Sequence, residues 1–343
     1  MKSNDPFSLL TYDYELPEEL IASHPIHPKN QARLLVYNRK DGSILHTHFS
    51  EFERFIPQEA LIVFNDTKVI KARFFGKKES GGGVELLYHK PLGVERFWVQ
   101  IKGRVKLGQT LLLAEGWRAQ ILALGEGGFR EVSFWDERGV KVELAQLLLF
   151  LERQGHVPLP PYIKRTDTAL DEVEYQSVFA KHEGAIAAPT ASLHFEETDM
   201  VRLKERFDHA FVTLHVGAGT FLGVESEDIR NHSMHKERYF ISESSAQKIK
   251  QASQILAIGT TAARTIEYYV RTSKKEGECD LFLHPGNPPL KTTALLTNFH
   301  LPQSTLLMLV SAFITPKECQ RVYAQALKER YRFFSYGDGM LIL

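Results

Sequence analysis

"VIKARFFGKKESGGGVELLYHK", residues 69–90, decides the fold, because it holds two apolar runs separated by a glycine-rich turn. Four further short apolar runs follow it at close intervals: "ERFWVQI", "QTLLLAE", "WRAQILALG" and "REVSFWDE". Short strands in this rhythm, separated by glycine-rich or charged turns, are typical of a small sandwich or barrel. We therefore predict an inserted β-barrel domain at residues 69–150.

The segments on either side of the predicted barrel have a different pattern. "ARLLVYNR" and "ALIVFND" precede it as strand candidates, and "DYELPEELIASHP" predicts a short helix near the N-terminus. After the proline-rich connector "HVPLPPYIKR", helical segments alternate with strands such as "HAFVTLHV" and "ILAIGTT". Such alternation indicates layered α/β structure. The fold class is thus α/β: a layered α/β catalytic domain, discontinuous in sequence (1–68 and 151–343), with an inserted small β-barrel.

Composition restricts the class of protein. The 343 residues are 43% apolar, which suits a globular chain, and both Lys+Arg and Asp+Glu number 42. A formal charge of zero argues against a highly cationic, non-specific binder but leaves room for RNA on a local patch. Cys279 and Cys319 have no metal-like or disulfide-like spacing, and no tract reaches the length of a membrane span. We expect a soluble, cytoplasmic protein that has no contact with a membrane.

Polar residues gather at four places in the predicted α/β domain. These are "APTASLHF" (188–195), "LHVGAGTF" (214–221), "GTTAAR" (259–264) and "TNFHLPQST" (297–305). Strand ends of this kind meet at one edge of an α/β sheet, where ligands bind. Gly217 and Gly219 either form a tight turn or leave the backbone bare for a ligand. A dinucleotide fingerprint is disfavoured because Leu222 stands where the third glycine belongs.

Histidines occupy three of these junctions. His194, His215 and His300 could move a proton near neutral pH, although a single buried histidine is more often structural. His232 and His235, with Glu237 nearby, could in principle ligate zinc. No further cysteine or histidine has a recognisable metal spacing, so we predict no metal site.

Basic residues alternate in two predicted strands of the barrel. Lys102, Arg104 and Lys106 would share one face of a strand, and Lys71, Arg73 and Lys77 would do the same. Such a face is either simply solvated or follows the phosphates of a nucleic acid.

Six motifs spread over nearly the whole chain carry a family resemblance. They are "FNDTKVIKARFFG", "APTASLHF", "LHVGAGTF", "GTTAARTIE", "LLTNFHLPQSTLLMLVSAF" and "YRFFSYGDGMLI". In this order they resemble the S-adenosylmethionine:tRNA ribosyltransferase-isomerases of the queuosine pathway. The resemblance implies transfer and isomerisation of the ribosyl part of S-adenosylmethionine onto 7-aminomethyl-7-deazaguanine at the tRNA wobble position. Epoxyqueuosine-tRNA, adenine and methionine would be the products. S-adenosylmethionine would be a cosubstrate, with no permanently bound cofactor, and we expect a monomer.

The resemblance and the junction pattern together suggest roles for individual residues. His215 or His194 would transfer the proton, and Asp66 would meet the substrate amine. The hypothesis assigns substrate binding to Thr190, Gly217, Gly219, Thr220, Thr260, Thr261, Arg264, Asn298 and His300. It assigns tRNA binding to Lys71, Arg73, Lys102, Arg104 and Lys106.

The chain departs from the usual family text at four positions. Ser192, Leu222, Ala262 and Asn287 stand where a glycine, an arginine, a serine and a tyrosine are usual, so no role is carried over to them.

A non-catalytic RNA-binding module is the alternative function from another class of protein. It would explain the basic strands but not the polar junctions. A nucleoside hydrolase would release adenine without tRNA, and a methyltransferase would leave S-adenosylhomocysteine.

Overall fold

The computed structural model describes residues 5–221 and 223–343, without the side chains of residues 220 and 221. Its strands are Arg33–Asn38 (β1), Ser43–His48 (β2), Leu61–Asn65 (β3), Thr67–Val69 (β4), Arg73–Lys78 (β5), Gly83–Pro91 (β6), Phe97–Lys102 (β7), Thr110–Leu113 (β8), Arg118–Leu124 (β9), Phe129–Trp135 (β10), His182–Ala185 (β11), His209–Leu214 (β12), Glu237–Ile241 (β13), Ile255–Ile258 (β14), Glu276–Cys279 (β15), Ala294–Asn298 (β16) and Gly339–Ile342 (β17). Its α-helices are Leu144–Gln154 (α1), Asp171–Glu174 (α2), Glu197–Arg206 (α3), Glu243–Gln251 (α4), Thr260–Thr272 (α5), Thr305–Ile314 (α6) and Pro316–Lys328 (α7).

A mixed nine-stranded sheet forms the α/β part, in the order β15-β13-β12-β3-β14-β16-β17-β1-β2. The four strands β12, β3, β14 and β16 are parallel to their neighbours within that group. Every residue of β3, β14 and β16 is buried, as expected when both faces of a parallel sheet are covered. The predicted layered α/β fold is confirmed.

Helices cover the two faces of this sheet unequally. Ile62 and Phe64 of β3 belong to a core that includes Leu203 of α3. Leu61 and Val63, which alternate with them, belong to a larger core that contains residues of α4, α5, α6 and α7. Consecutive side chains of one strand therefore serve opposite layers.

The second sheet is a closed six-stranded barrel in the order β10-β7-β6-β5-β8-β9. Adjacent strands of the barrel pair antiparallel. The rings of Phe74, Phe97 and Phe134 pack inside it. The predicted barrel is confirmed. Strands β4 and β11 pair with each other to form a separate two-stranded sheet.

The chain divides into two compact units, which differ slightly from the expected boundaries. One contains residues up to Lys68, Pro160–Arg165 and Val173–Leu343, and the other contains Val69–Leu159 and Thr166–Glu172. A boundary at residue 150 would cut through α1, whose Phe150 stacks on Trp117 of the barrel unit with ring centroids 4.3 Å apart. The assignment of the two units as catalytic and inserted domains stays a prediction.

The prediction of an N-terminal helix in "DYELPEELIASHP" is wrong. Only Glu18–Leu20 is helical there, as a single 3₁₀ turn that follows Pro17. Within the described ranges of the chain, no helix is both long and apolar enough to span a membrane.

Candidate active site

Four parallel strands end at the same edge of the nine-stranded sheet. The residues that follow β12, β3, β14 and β16 are His215, Asp66, Gly259 and Phe299. Three of the polar junctions predicted from the sequence therefore meet at this edge. The fourth, around Thr190–His194, forms a 3₁₀ turn whose Thr190 hydroxyl donates to Asn298 Oδ1 at 3.0 Å.

A cavity lies at this edge, and it occupies about 680 Å³ when the solvent space at its mouth is counted. Its polar lining comes from Thr190, Thr260, Thr261, Thr297, Asn298, His300, Ser304 and Ser335. Its apolar and aromatic lining includes Ala187, Ala188, Val216, Phe299, Phe334, Tyr162 and Tyr175. A mainly apolar cavity with a few convergent polar groups is typical of small-molecule sites.

Asn298 is the centre of the cavity's hydrogen bonding. Its Oδ1 accepts from Thr190, and its Nδ2 lies 3.3 Å from Nε2 of His194. His194 itself is buried behind the cavity, with its ring stacked on Phe49. Burial, Arg332 and Lys29 lower the pKa of His194 to about 3, so the imidazole is neutral at pH 7.

His300 lines the same cavity but is engaged by the protein. Its Nε2 lies 2.7 Å from the Thr297 hydroxyl, and its backbone N–H donates to the hydroxyl of Tyr323. Burial lowers its pKa to about 3. His300 therefore presents a neutral imidazole at pH 7.

Helix α5 begins at the edge of the cavity. Its N-cap is Gly259, with φ +93° and no side chain to cap the helix. Thr260 and Thr261 lie in the first turn and line the cavity. Helix α6, by contrast, is capped by Ser304, whose Oγ accepts from Leu307 N at 3.3 Å.

Asn65 joins the cavity to the neighbouring strand, although it was not among the predicted site residues. Its Nδ2 donates to Thr261 Oγ1 and to Leu214 O, both at 3.1 Å. Its Oδ1 accepts from the backbone N–H groups of Leu214 and Thr67. The sequence signal for this residue is an asparagine directly after the apolar run "LIVF".

His215 lies beside β12 against a glycine. Its Nδ1 is 2.8 Å from the hydroxyl of Thr67. A Cβ at Gly184, whose φ is +145°, would lie 2.9 Å from that same nitrogen. Burial, with Arg238 and His182, lowers the pKa of His215 to about 4. Among the described residues, no protein group hydrogen-bonds its Nε2.

Asp66 lies on the opposite side of β3 from Asn65. Its Oδ1 accepts from the Thr213 hydroxyl at 2.6 Å, and its Oδ2 is 3.7 Å from Nε2 of His182. Burial raises the pKa of Asp66 despite these partners. A cation that approached this carboxylate would stabilise its charged form.

Gly217 and Gly219 follow the cavity residue Val216 but do not line the cavity themselves. The backbone N–H of Gly217 donates to Glu237 Oε1 at 2.9 Å. A Cβ at Gly219 would lie 2.7 Å from the ring of His235, whereas a Cβ at Gly217 would meet nothing closer than 3.9 Å. The side chain of Thr220, the neighbouring predicted residue, lies outside the described residues.

Arg264 is held by the protein rather than presented to the cavity. Its Nη1 pairs with Glu237 and its Nε donates to Leu281 O at 3.1 Å. Burial opposes ionisation of Glu237, but Arg264, the His235 ring 3.5 Å away and the hydrogen bond from Gly217 N outweigh it and hold the pKa of Glu237 well below its usual range. No group of three or more potential metal ligands occurs in the described part of the chain.

The five basic residues predicted to bind tRNA fall into two groups. Lys71 pairs with Glu172 and Glu152, and Arg73 pairs with Asp167. Lys102, Arg104 and Lys106 are exposed. The expectation that these three share one face of a strand is wrong, because β7 ends at Lys102 and Gly103 turns the chain with φ +128°.

Known proteins are similar to this chain over nearly its full length. Residues 9–342 match the family model described as "Queuosine biosynthesis protein". S-adenosylmethionine:tRNA ribosyltransferase-isomerases from Nitratiruptor sp. and Campylobacter jejuni are 52% and 51% identical to this chain, over 99% of it and at least 99% of their own length. A crystal structure of S-adenosylmethionine tRNA ribosyltransferase from Thermotoga maritima is 32% identical and covers 97% of this chain and 100% of its own, with a TM-score of 0.54.

Proposed function

We propose that this chain, which belongs to the queuosine biosynthesis protein family, transfers and isomerises the ribosyl part of S-adenosylmethionine onto tRNA. The acceptor is the amine of 7-aminomethyl-7-deazaguanine at the wobble position, and the products are epoxyqueuosine-tRNA, adenine and methionine. The observation that carries the proposal is the cavity at the carboxyl edge of the parallel strands, lined by Thr190, Thr260 and Asn298. Full-length relatives at about 50% identity support it.

The cavity suits the nucleoside part of S-adenosylmethionine. Aromatic walls at Tyr162, Tyr175 and Phe334 offer surfaces for a planar base. Hydroxyl and amide groups at Thr260 and Asn298 offer partners for ribose hydroxyls. With Gly217 left bare beside Val216, the same substrate could extend along the backbone there.

His215 is the proposed proton acceptor. The sulfonium acidifies the hydrogens of the adjoining ribose carbon, and a neutral imidazole can remove one of them. If Nδ1–H donates to the Thr67 hydroxyl, Nε2 is the free base, and no described protein group occupies it. His194 is less suited because its Nε2 already lies against Asn298.

The remaining steps balance without an oxidant or a metal. The ylide opens the sugar by breaking the C4′–O4′ bond, and O4′ becomes the carbonyl oxygen on C1′ as adenine leaves and gains a proton. The substrate amine adds at C4′ and loses a proton, and the C5′ carbanion that this restores attacks C1′ to close the carbocycle. The C1′ alkoxide then displaces methionine from C5′, which closes the epoxide and leaves methionine with the electrons of the carbon–sulfur bond. One proton is released overall from the neutral amine, and two from its ammonium form. Asp66 is proposed to hold the aminomethyl group, which is a cation before it attacks.

Treatment of tRNA that carries 7-aminomethyl-7-deazaguanine with the protein and S-adenosylmethionine tests the proposal. We expect adenine release and a mass gain equal to one epoxycyclopentanediol unit on the tRNA. His215→Ala should lower turnover by about 100-fold or more, the usual contribution of a general base. RNA binding without adenine release would instead support the non-catalytic module. Adenine release without tRNA would support a hydrolase.

A further inference from the structure

A second cavity runs along β12 on the sheet face that carries Phe64 and Phe211. It occupies about 1540 Å³ when the space at its open mouth is counted. Its floor is formed by Phe211 and Thr213 of β12 and by Phe240, which lies opposite Thr213 on β13. Met200, Val201 and Lys204 of α3 line it as well. We call this cavity the β12 groove.

The β12 groove leaves apolar side chains open to solvent. Phe240 is 45% exposed, Val201 is 57% exposed and Val178 is 38% exposed, and all three line it. Single exposed apolar residues need no explanation, but three around one groove mark a surface that binds something. Phe240 in particular offers a ring to a planar partner.

Three lysines line the same groove. The ionisable groups that line the groove are Lys181, His182, Lys204, His209, Lys248, Asp66 and Glu197. Lys204 lies over the ring of Phe211 at 5.6 Å, and Lys248 is held by Asp208. The lining therefore contains three lysines and two carboxylates. A groove that combines exposed rings with cations is typical of proteins that bind single-stranded nucleic acid.

One residue of the candidate active site, Asp66, also lines the groove. Asp66 lines the groove and accepts from Thr213, and His182 lies next to it. His182 also contributes to the electrostatic environment of His215, the proposed base. A chain lying in the groove would thus reach Asp66, the residue proposed to hold the substrate amine.

We propose that the β12 groove receives unpaired anticodon-loop nucleotides of the tRNA, with one base stacked on Phe240 and phosphates near Lys181 and Lys204. The inference rests on the proposed function for the identity of the RNA. Charge complementarity favours RNA over a second copy of this chain, whose net charge is zero. The amine of the modified base lies at Asp66, at the inner end of the groove.

Fluorescence anisotropy with an anticodon stem–loop RNA that carries 7-aminomethyl-7-deazaguanine tests this assignment. We expect Phe240→Ala to weaken binding by about 5- to 150-fold, the range for loss of one base–aromatic stack. Phe240→Tyr keeps the ring and should bind as the wild type does. Lys204→Gln should weaken binding and reduce its dependence on salt, whereas Lys317→Gln, at an exposed site on α7, should not.

Three controls separate the possible outcomes. A duplex made from the stem alone should not respond to Phe240→Ala, and an equal loss with that duplex would overturn stacking of loop bases. If the wild type releases adenine and Phe240→Ala binds the stem–loop as tightly as the wild type does, the assignment of the groove to RNA is rejected and the proposed function stands. If the wild type forms no product and Phe240→Ala loses stem–loop binding, the proposed function is rejected but the assignment of the groove to RNA is supported. A wild-type dimer that Phe240→Ala dissociates would show that a second copy covers this face.

Discussion

Gly217 and Gly219 are separated by one residue, yet the structure explains only one of them by packing. At Gly219, a side chain would collide with the ring of His235, since its Cβ would lie 2.7 Å from Cγ. At Gly217, the nearest atom to a Cβ would be 3.9 Å away, which is ordinary contact. Neither residue has the positive φ that would require glycine. Packing in the free protein therefore gives no reason for glycine at 217.

Gly217→Ala tests whether a ligand lies against this part of the backbone. The free energy of unfolding should stay within about 0.5 kcal/mol of the wild type, because the site has room for a methyl group. Affinity for S-adenosylmethionine should fall by about 5- to 100-fold if the methyl group meets the bound ligand. Isothermal titration calorimetry and thermal unfolding measure the two quantities. Gly223→Ala, where no atom lies within 4 Å of a Cβ, is the matched control. Unchanged affinity at position 217 would remove this contact from the proposed site.

At the scale of elements, one buried asparagine ties two strands to a helix. Asn65 ends β3, donates to Leu214 O at the end of β12 and to Thr261 in the first turn of α5, and is fully buried. Sequence patterns located each of these three elements. They did not reveal the link, because a side chain that bridges neighbours in the sheet has no periodic signature in the chain.

Asn65→Ala should destabilise the protein by about 2–6 kcal/mol. The substitution leaves the N–H groups of Leu214 and Thr67 without the amide that now accepts from them, and each unpaired buried group costs about 1–3 kcal/mol. Urea unfolding provides the measurement. Asn231→Ala, at an exposed position whose side chain makes no hydrogen bond among the described residues, should change stability by less than about 0.5 kcal/mol. An equal effect of the two substitutions would show that Asn65 does not join these elements.

At the scale of the whole molecule, a net charge of zero conceals an uneven distribution of free cations. Lys71 and Arg73 of the barrel unit are neutralised by Glu172 and Asp167, so they have little charge left for a phosphate. Lys102, Arg104 and Lys106 are exposed instead. We therefore restrict the proposed phosphate contacts of the barrel to these three residues.

Replacement of all three exposed residues by glutamine tests this restriction. The slope of log affinity for tRNA against log salt should decrease in magnitude by about 2–3, since each phosphate contact contributes roughly 0.7–0.9. Lys71→Gln should leave the slope unchanged because its ammonium is already paired. Filter binding over a range of salt concentrations gives both slopes. A triple variant with the wild-type slope would exclude the barrel residues from phosphate contact.

The sequence by itself determined the two architectures and the sheet edge at which a cavity lies. Closely spaced apolar runs predicted the barrel, and alternation of helix and strand predicted the layered sheet, because both patterns arise from local burial periodicity. Polar residues at the ends of predicted strands located the cavity edge, since parallel strands place those ends together.

Only the tertiary structure decided which of the predicted residues are free to act. Arg264, Lys71 and Arg73 are paired with carboxylates distant in sequence, and Asp66 faces the β12 groove while Asn65 faces α5. The physical reason is that a strand sends adjacent side chains to opposite faces, and charge pairing depends on which distant segments then pack there. Neither the partner nor the face is encoded in the spacing of residues along the chain.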